Sequence, residues 1–243
     1  MVKLNPHISV DCVVFGFDYK YLKVLLVERE TMLSNRTKKI DLKLPGALIS
    51  NEENLDDAAY RVLTELTGIK NLYLKRFDVF GDKSRMQNPA DVNWLRHFTG
   101  IHIDRVVTIA YYSLIKLNGI DPSLGISVNA HWVNVNEIPD LAFDHNQIVS
   151  GALNTLRKEL RSEPVGFELL PEKFSIRQVQ NLYEVILGIK LDNRNFRKRF
   201  LKLSYIKPLK EKEENVNHKP ALLYRYNKTS YEKRQSKVLE FLM

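Results

Sequence analysis

The sequence has a single cysteine and no apolar run long enough to cross a membrane, and each absence excludes a class of protein. Cys12 stands in an apolar run and is expected in the core, which excludes disulfide frameworks and cysteine metal sites. Residues 1–6 lack the charged and apolar regions of a secretory signal, and no apolar run reaches about 18 residues. We therefore expect a cytoplasmic protein with no membrane partner.

Basic residues outnumber acidic ones in the C-terminal third of the chain. The net charge is +8, and residues 163–243 hold 17 Lys and Arg against 10 Asp and Glu, whereas residues 1–162 hold 20 against 19. Within residues 173–210 the ratio is ten to two. Such a concentration favours a polyanionic partner, and a basic tail that serves only solubility is the alternative.

The length of the chain and a segment with helix- and strand-breaking residues indicate two modules. A chain of 243 residues with 44% hydrophobic and 27% charged residues is typical of folded globular protein and exceeds the usual size of one domain. The segment Ser162–Pro171 contains two prolines and a glycine, which break regular structure between modules. We predict an N-terminal domain at residues 1–162 and a C-terminal domain at 163–243.

Apolar periodicity in the first module predicts mixed strands and helices. Runs rich in β-branched residues predict strands at residues 8–17, 21–28, 106–116 and 130–135. Apolar residues at three- and four-residue spacing predict helices at 55–66 and 145–161, with Gly68 as a C-cap and Asp144 as an N-cap. This order predicts an α+β or α/β sandwich.

The segment Asp82–Asp104 shows no clear periodicity over 23 residues. Loops of this length in compact domains are usually functional or disordered, and Trp94 and Phe98 argue against disorder. We interpret the segment as a lid or partner-contacting loop, with a plain surface insertion as the alternative.

A motif lies at Leu44–Ile69, LPGALISNEENLDDAAYRVLTELTGI, and resembles the Nudix signature G-x5-E-x7-R-E-U-x-E-E-x-G-U, where U is aliphatic. The spacing matches over the whole length when Ala47 takes the first glycine position. The resemblance extends over roughly residues 8–160 and implies a Nudix-type α/β/α sandwich. The signature positions are occupied by Ala47, Glu53, Arg61, Val62, Glu65, Leu66 and Gly68.

The resemblance implies a disabled metal site. In Nudix hydrolases, helix glutamates hold Mg²⁺ against a diphosphate, and two of those positions are Val62 and Leu66 here. Because they are four residues apart, they share one helix face, which has become aliphatic. Glu53 alone would hold a cation weakly, while Arg61 and Glu65 are expected to support the scaffold. We predict no catalytic residues, metal or cofactor; an active pyrophosphohydrolase acting on nucleoside diphosphate derivatives is the alternative.

A cleft without metal can still bind a ligand, because fold and function are separable. In the Nudix family the substrate cleft lies beside this helix and the neighbouring strands. Each polar residue that flanks the predicted strands is a candidate effector contact, and each could instead serve only the surface or the fold. The candidates are Arg29, Asp82, Arg85, Asp104, Arg105, Tyr111 and His145.

The second module has the pattern of a helix-turn-helix. The segment FSIRQVQNLYEVILG predicts a helix that starts after Ser175 as N-cap and ends at Gly188. Asp192 then caps a second helix, NRNFRKRFLKLS, whose Phe196, Phe200 and Leu203 would pack inward and turn basic side chains outward. An amphipathic basic helix without DNA-binding function is the alternative.

Two apolar runs after the second helix, residues 205–209 and 221–226, predict a hairpin that forms the wing of a winged helix. Basic and amide side chains of the helices and wing are predicted to contact DNA. They are Arg177, Asn193, Arg194, Asn195, Arg197, Lys198, Lys202 and Lys219.

Together the motifs resemble the Nudix-related transcription regulators of bacteria, which include regulators of arabinose use and of NAD metabolism. The resemblance rests on LDNRNFRKR, FSIRQVQNLYEVILG and AFDHNQIV, and covers nearly the whole chain. It implies a homodimer on a double-stranded DNA operator, with a sugar or ADP-ribose-type effector in the Nudix domain. A third alternative, an interaction module that binds RNA or an acidic partner, is disfavoured for single-stranded RNA because no aromatic stacking set lies on a sheet.

Overall fold

The computed structural model describes residues 3–32, 38–117, 129–162, 164–217 and 219–232. The chain divides into two units, residues 1–156 and 157–243. This division falls inside a helix, near the domain limit placed between residues 162 and 163, and the limit itself stays a prediction. Within the described ranges, no helix combines the length and apolarity needed to cross a bilayer.

Unit 1 is built on a mixed sheet of seven strands. Five strands run in the order β3-β2-β1-β6-β5, while β4 pairs with β1 and β7 pairs with β2. Strands β1 and β6 are parallel, from Ile8 opposite Val107 to Phe17 opposite Lys116, and the other pairs are antiparallel. The strands are β1 (Leu4–Phe17), β2 (Leu22–Met32), β3 (Lys38–Lys43), β4 (Gly46–Ser50), β5 (Lys75–Phe80), β6 (Val107–Lys116) and β7 (Ala130–Asn134).

Helices α1 (Leu55–Thr67) and α3 (His145–Ser162) cover opposite faces of this sheet. Ala59, Val62 and Leu63 of α1 are buried in one cluster with Val10, Cys12 and Val14 of β1. Gly151 of α3 lies against the rings of Phe77 and Phe80 on the other face. Burial of an apolar helix stripe on each face gives the predicted sandwich, and the fold class is confirmed.

The prediction of a loop at Asp82–Asp104 is wrong, because most of this segment is helical. A short 3₁₀ helix, Lys83–Met86, is followed by α2, Pro89–Thr99. The Asn88 side chain accepts a hydrogen bond from the Ala90 amide at 3.0 Å, Pro89 occupies the first turn, and Gly100 ends the helix with φ +69°. These are ordinary helix boundary signals.

Unit 2 contains the predicted helix-turn-helix and hairpin. Ser175 and Gln178 form a capping box at the start of α4, and Gly188 ends it. Asp192 caps α5 by accepting a hydrogen bond from the Asn195 amide at 2.8 Å. The three strands pair antiparallel in the order β8-β10-β9. The elements are β8 (Phe174–Ser175), α4 (Ile176–Leu187), α5 (Asn193–Phe200), β9 (Ile206–Lys212) and β10 (Leu222–Tyr226).

Helix α5 is shorter than predicted. It ends at Phe200, and the backbone then tightens into turns in which the Lys202 amide donates to the Arg199 carbonyl at 3.1 Å. The predicted inward side chains do lie inward, with Phe200 buried and Phe196 half-buried. Lys202 therefore follows the helix instead of standing on it.

Candidate functional site: an aliphatic cleft and a basic helix

A cavity of about 320 Å³ lies beside α1 in unit 1. Val62 and Leu66 of α1 contribute aliphatic lining on one side, and Trp94, Leu95 and Phe98 of α2 contribute lining on the other. Val62 is fully buried in the apolar core, and Leu66 packs against the same cluster. The cavity therefore carries hydrocarbon where the Nudix resemblance expects metal-binding carboxylates.

The remaining polar residues of the Nudix-like motif bind one another. Arg61 donates to both Glu53 oxygens at 2.8 and 2.6 Å and to Glu65 at 3.1 Å, and the Ser50 amide donates to Glu53 at 2.6 Å. The hydrogen bonds from Arg61 hold the pKa of Glu53 below its ordinary value. Arg61 thus ties the loop before α1 to the helix.

This donor set does not fit Mg²⁺. Octahedral Mg²⁺ needs oxygen ligands held at close range, and Glu53 is already engaged while Val62 and Leu66 offer none. Across the part of the chain that the structure describes, no three His, Cys, Asp or Glu residues are grouped to hold a metal ion.

A buried charge cluster lies next to the cavity. Arg29 of β2 donates to both oxygens of Asp41 at 2.7 and 2.6 Å and to Asp91 at 2.5 Å. The second oxygen of Asp91 accepts a hydrogen bond from the Phe143 amide at 3.1 Å. Because Asp41 is on β3 and Asp91 in the first turn of α2, this bidentate guanidinium fixes α2 against the sheet.

Arg85 and His145 extend this cluster to the start of α3. Arg85 donates to Asp11 at 2.8 Å and also contacts Asp144. Nδ1 of His145 accepts a hydrogen bond from the Leu44 amide at 2.9 Å, so the neutral ring carries its proton on Nε2, which faces Asp11 at 3.4 Å. Burial lowers the pKa of His145 to about 3, against the attraction of Asp11.

Lys43 lies between the large cavity and the buried charge cluster. It lines the large cavity and a second cavity of about 40 Å³, which Asp11, Arg85 and His145 also line. Its ammonium donates to the carbonyls of Leu44 and Gly46 at 3.1 and 2.8 Å, and burial lowers its pKa to about 8. A Cβ at Gly46 would lie 1.8 Å from the Asp11 carboxylate, so this close approach requires glycine.

The seven predicted effector residues separate into three groups. Arg29, Arg85 and His145 come together in the buried charge cluster. Tyr111 is buried, donates to Asp56 at 2.6 Å and has a pKa raised to about 12 by burial and by that carboxylate. Neither cavity of unit 1 is lined by the remaining members, which lie on the surface: Asp82, Asp104 and Arg105.

Sequence inspection missed several residues of this region. Asp11, Asp41, Lys43 and Asp91 look like ordinary strand or loop residues, because their partners are distant in sequence. Trp94 and Phe98 were noted only as evidence against disorder. Their four-residue spacing between Asn88 and Gly100 was the available signal.

In unit 2, α5 carries a basic surface. Arg194, Asn195, Arg197 and Lys198 are all exposed on this helix of eight residues. The other predicted DNA contacts are exposed as well: Arg177 at the start of α4, Asn193 at the start of α5, and Lys202 and Lys219 beyond α5.

A buried polar network holds the turn between α4 and α5. Gln180 donates to Glu184 at 2.9 Å, to the Leu191 carbonyl at 2.9 Å and to the Asn193 side chain at 2.7 Å. Glu184 accepts from the Leu191 amide at 3.1 Å and pairs with Lys190 at 3.2 Å. The first residue of α5, Asn193, is therefore tied to α4, which sets the direction of the basic helix.

Comparison with known proteins gives matches over both units. Residues 166–226 match the family described as the NrtR DNA-binding winged helix domain. A protein of Acinetobacter baylyi named "ADPR responsive transcriptional repressor NtrR" is 29% identical over 241 residues, covering 98% of this chain and 88% of the relative.

Two solved structures have the same overall fold. NrtR of Shewanella oneidensis, crystallised with a 27mer DNA, is 25% identical, covers 93% of this chain and 95% of that one, and has a TM-score of 0.64. A MutT/nudix family protein of Enterococcus faecalis is 21% identical over 92% of this chain and 87% of that one, with a TM-score of 0.63, and shares the fold. Together with the aliphatic cleft and the basic winged helix, these matches identify a ligand-responsive DNA-binding regulator that is similar to the Nudix-related transcription regulators.

Proposed function

We propose that this regulator binds a DNA operator as a homodimer through α5 and the wing, and that its Nudix-like cavity binds ADP-ribose or a related metabolite without hydrolysing it. The observation that carries the proposal is the aliphatic lining contributed by Val62 and Leu66 to a cavity of about 320 Å³. A ligand site persists where a metal site has been lost. The named response of the Acinetobacter relative to ADPR supports the choice of ligand.

The cavity suits a small molecule in size and lining. Its volume is within the range of about 300–1,000 Å³ that is usual for such sites, and a mainly apolar lining with a few polar groups is typical of them. Lys43 contributes a positive charge at the junction of the two cavities, which complements a phosphate-bearing ligand. ADP-ribose is bound, in this proposal, as an effector and not as a substrate.

The proposal also states that the bound ligand is not hydrolysed. Glu53 is engaged by Arg61 and the Ser50 amide, and the aliphatic side chains of Val62 and Leu66 cannot replace the missing oxygen ligands. We expect no turnover of ADP-ribose or nucleoside triphosphates with Mg²⁺, as measured by chromatography of the products. Turnover on the order of 1 s⁻¹ or more would identify the chain as a Nudix pyrophosphohydrolase instead.

The DNA-binding part rests on the exposed basic side chains of α5. Positive side chains release counterions when they meet phosphates, so affinity should fall steeply with salt. In this proposal the protein acts in the cytoplasm. Its DNA contacts are the predicted ones: Arg177, Asn193, Arg194, Asn195, Arg197, Lys198, Lys202 and Lys219.

Exchange of Arg194 and Lys198 for alanine tests this assignment. We expect the double variant to bind operator DNA more weakly and to lower the slope of log K against log salt by about 2, as two phosphate contacts are lost. The control is Lys70→Ala with Lys83→Ala, which removes two exposed charges from unit 1. Equal mobility shifts for both double variants and the parent would overturn the recognition-helix assignment.

A further inference from the structure

Two aromatic side chains of α2 form a stacked pair at the cavity. The rings of Trp94 and Phe98 have centroids 5.1 Å apart and planes 10° apart, as their four-residue spacing on one helix allows. Both line the cavity of about 320 Å³, and Phe98 is 66% exposed. The pair therefore places an exposed aromatic ring at the cavity.

Two cationic side chains contact the Trp94 ring of this pair. The Arg29 guanidinium lies 5.4 Å from the Trp94 ring centroid and the Lys43 ammonium 5.8 Å from it, so two cations support the indole. Arg29 is itself fixed by Asp41 and by Asp91, which belongs to α2. These contacts hold Trp94 in a fixed position in which it supports Phe98, and such preorganisation favours affinity for a ligand.

We propose that the outer face of Phe98, backed by Trp94, is the subsite for the nucleobase of the effector. This inference rests on the proposed function and specifies which part of a nucleotide ligand the pair recognises. A base is a flat ring whose face stacks on aromatic side chains. The base would therefore stack on Phe98 and extend the stack that Arg29, Trp94 and Phe98 form.

Aliphatic residues of the cavity support the same assignment. Leu66 of α1 and Leu95 of α2 are half-buried in its lining and offer surface that suits the apolar faces of a base and repels phosphate. The positive charge of Lys43 lies toward the buried charge cluster, where the smaller cavity begins. The cavity thus combines aliphatic surface suited to a ring with a positive charge, at Lys43, suited to phosphate.

The test is calorimetric titration of the full-length protein with ADP-ribose and with ribose 5-phosphate, which lacks a base. We expect Phe98→Ala to weaken ADP-ribose binding roughly 5- to 150-fold, the range found when a stacked aromatic is removed, and Phe98→Trp to retain it. Any binding of ribose 5-phosphate should be unchanged by both substitutions. Val79→Ala, at another exposed apolar residue of unit 1, is the control and should leave ADP-ribose binding unaltered.

The outcomes separate this inference from the function on which it rests. If the parent binds ADP-ribose and Phe98→Ala binds it equally well, the base subsite is wrong and the effector proposal stands. If Phe98→Ala weakens both ligands by the same factor, the ring does not recognise the base. If the parent binds no ADP-ribose, both proposals fail. Thermal melting checks that the Phe98 variants are folded, which their exposure favours.

Discussion

The imidazole of His145 is 2% exposed and lies among charges from four other elements: Asp11 on β1, Arg29 on β2, Lys43 on β3 and Arg85 on the 3₁₀ helix. Burial lowers its pKa from 6.5 to about 3. Between those pH values the unfolded chain binds a proton at this residue that the folded chain excludes. The free energy of unfolding therefore falls as pH drops through this window.

We predict that His145→Gln removes this pH dependence. The linkage amounts to ~2 kcal/mol at pH 5, because each unit of pKa difference is about 1.4 kcal/mol. Urea denaturation at pH 7 and pH 5 should show a smaller loss of stability for the variant than for the parent by about that amount. His102→Gln, at an exposed histidine, is the control and should keep the parent's loss. Equal losses in His145→Gln and the parent would contradict a buried neutral ring.

Some residues of the site are predictable and others are not, for a physical reason. Val62 and Leu66 follow from the motif, because helix spacing alone assigns them to one face. Arg29 and Asp91 are separated by 62 positions, and Asp11 and Arg85 by 74, so only the closed fold brings these charges together. The candidates Arg29, Arg85 and His145 were chosen for their position near strands, which could not reveal that they are buried together.

At the scale of elements, α2 shows where sequence patterns are weak. Its N-cap and C-cap signals, Asn88 and Gly100, are clear once paired, but Val92 and Leu95 give a short apolar stripe on a helix of 11 residues. Its position depends on the buried contact between Asp91 and Arg29, which no local pattern encodes. By contrast, α1, α4 and α5 were predicted because caps and long amphipathic stripes agree in each.

The turn between α4 and α5 depends on Glu184, whose side chain is 4% exposed. We predict that Glu184→Ala leaves the Leu191 amide and the Gln180 amide group without this acceptor and lowers the free energy of unfolding by about 1–3 kcal/mol. Because Asn193 would lose its fixed position, the ratio of operator affinity to non-specific DNA affinity should also fall. Chemical denaturation and competition binding measure the two effects.

Glu168→Ala provides a matched control, since it removes an exposed carboxylate from the same unit. This variant should change neither the stability by more than about 0.5 kcal/mol nor the affinity ratio. If Glu184→Ala lowered stability but left the ratio unchanged, the network would serve only folding and would not orient α5.

At the scale of the whole molecule, net charge is distributed unevenly along the chain. Residues 163–243 carry most of the net charge, 17 basic against 10 acidic, and hold the basic helix. Residues 1–162 are nearly neutral, 20 against 19, and hold the cavity. The distribution could be counted from the sequence, whereas the division inside α3 could not, because an uninterrupted helix gives no linker signal.

The two units should communicate through linked binding equilibria. We predict that ADP-ribose, once bound in the cavity, changes operator affinity roughly 5- to 150-fold, which corresponds to a coupling of about 1–3 kcal/mol. The ligand must bind the DNA-competent and DNA-incompetent states with different affinity, because a ligand with no preference shifts nothing. In a homodimer a small change of subunit angle suffices, since the recognition helices must reach half-sites about 34 Å apart or a multiple of it.

Fluorescence anisotropy of a labelled operator, titrated with the parent protein at fixed salt with and without ADP-ribose, measures this coupling. Linkage requires reciprocity, so calorimetric titration of the operator complex with ADP-ribose should show the same factor in the effector affinity. The Arg194→Ala, Lys198→Ala variant is the control, because it should bind the effector normally while its DNA affinity is low. Tight effector binding with unchanged operator affinity would refute sensing of this ligand and reduce the Nudix-like unit to a dimerisation scaffold.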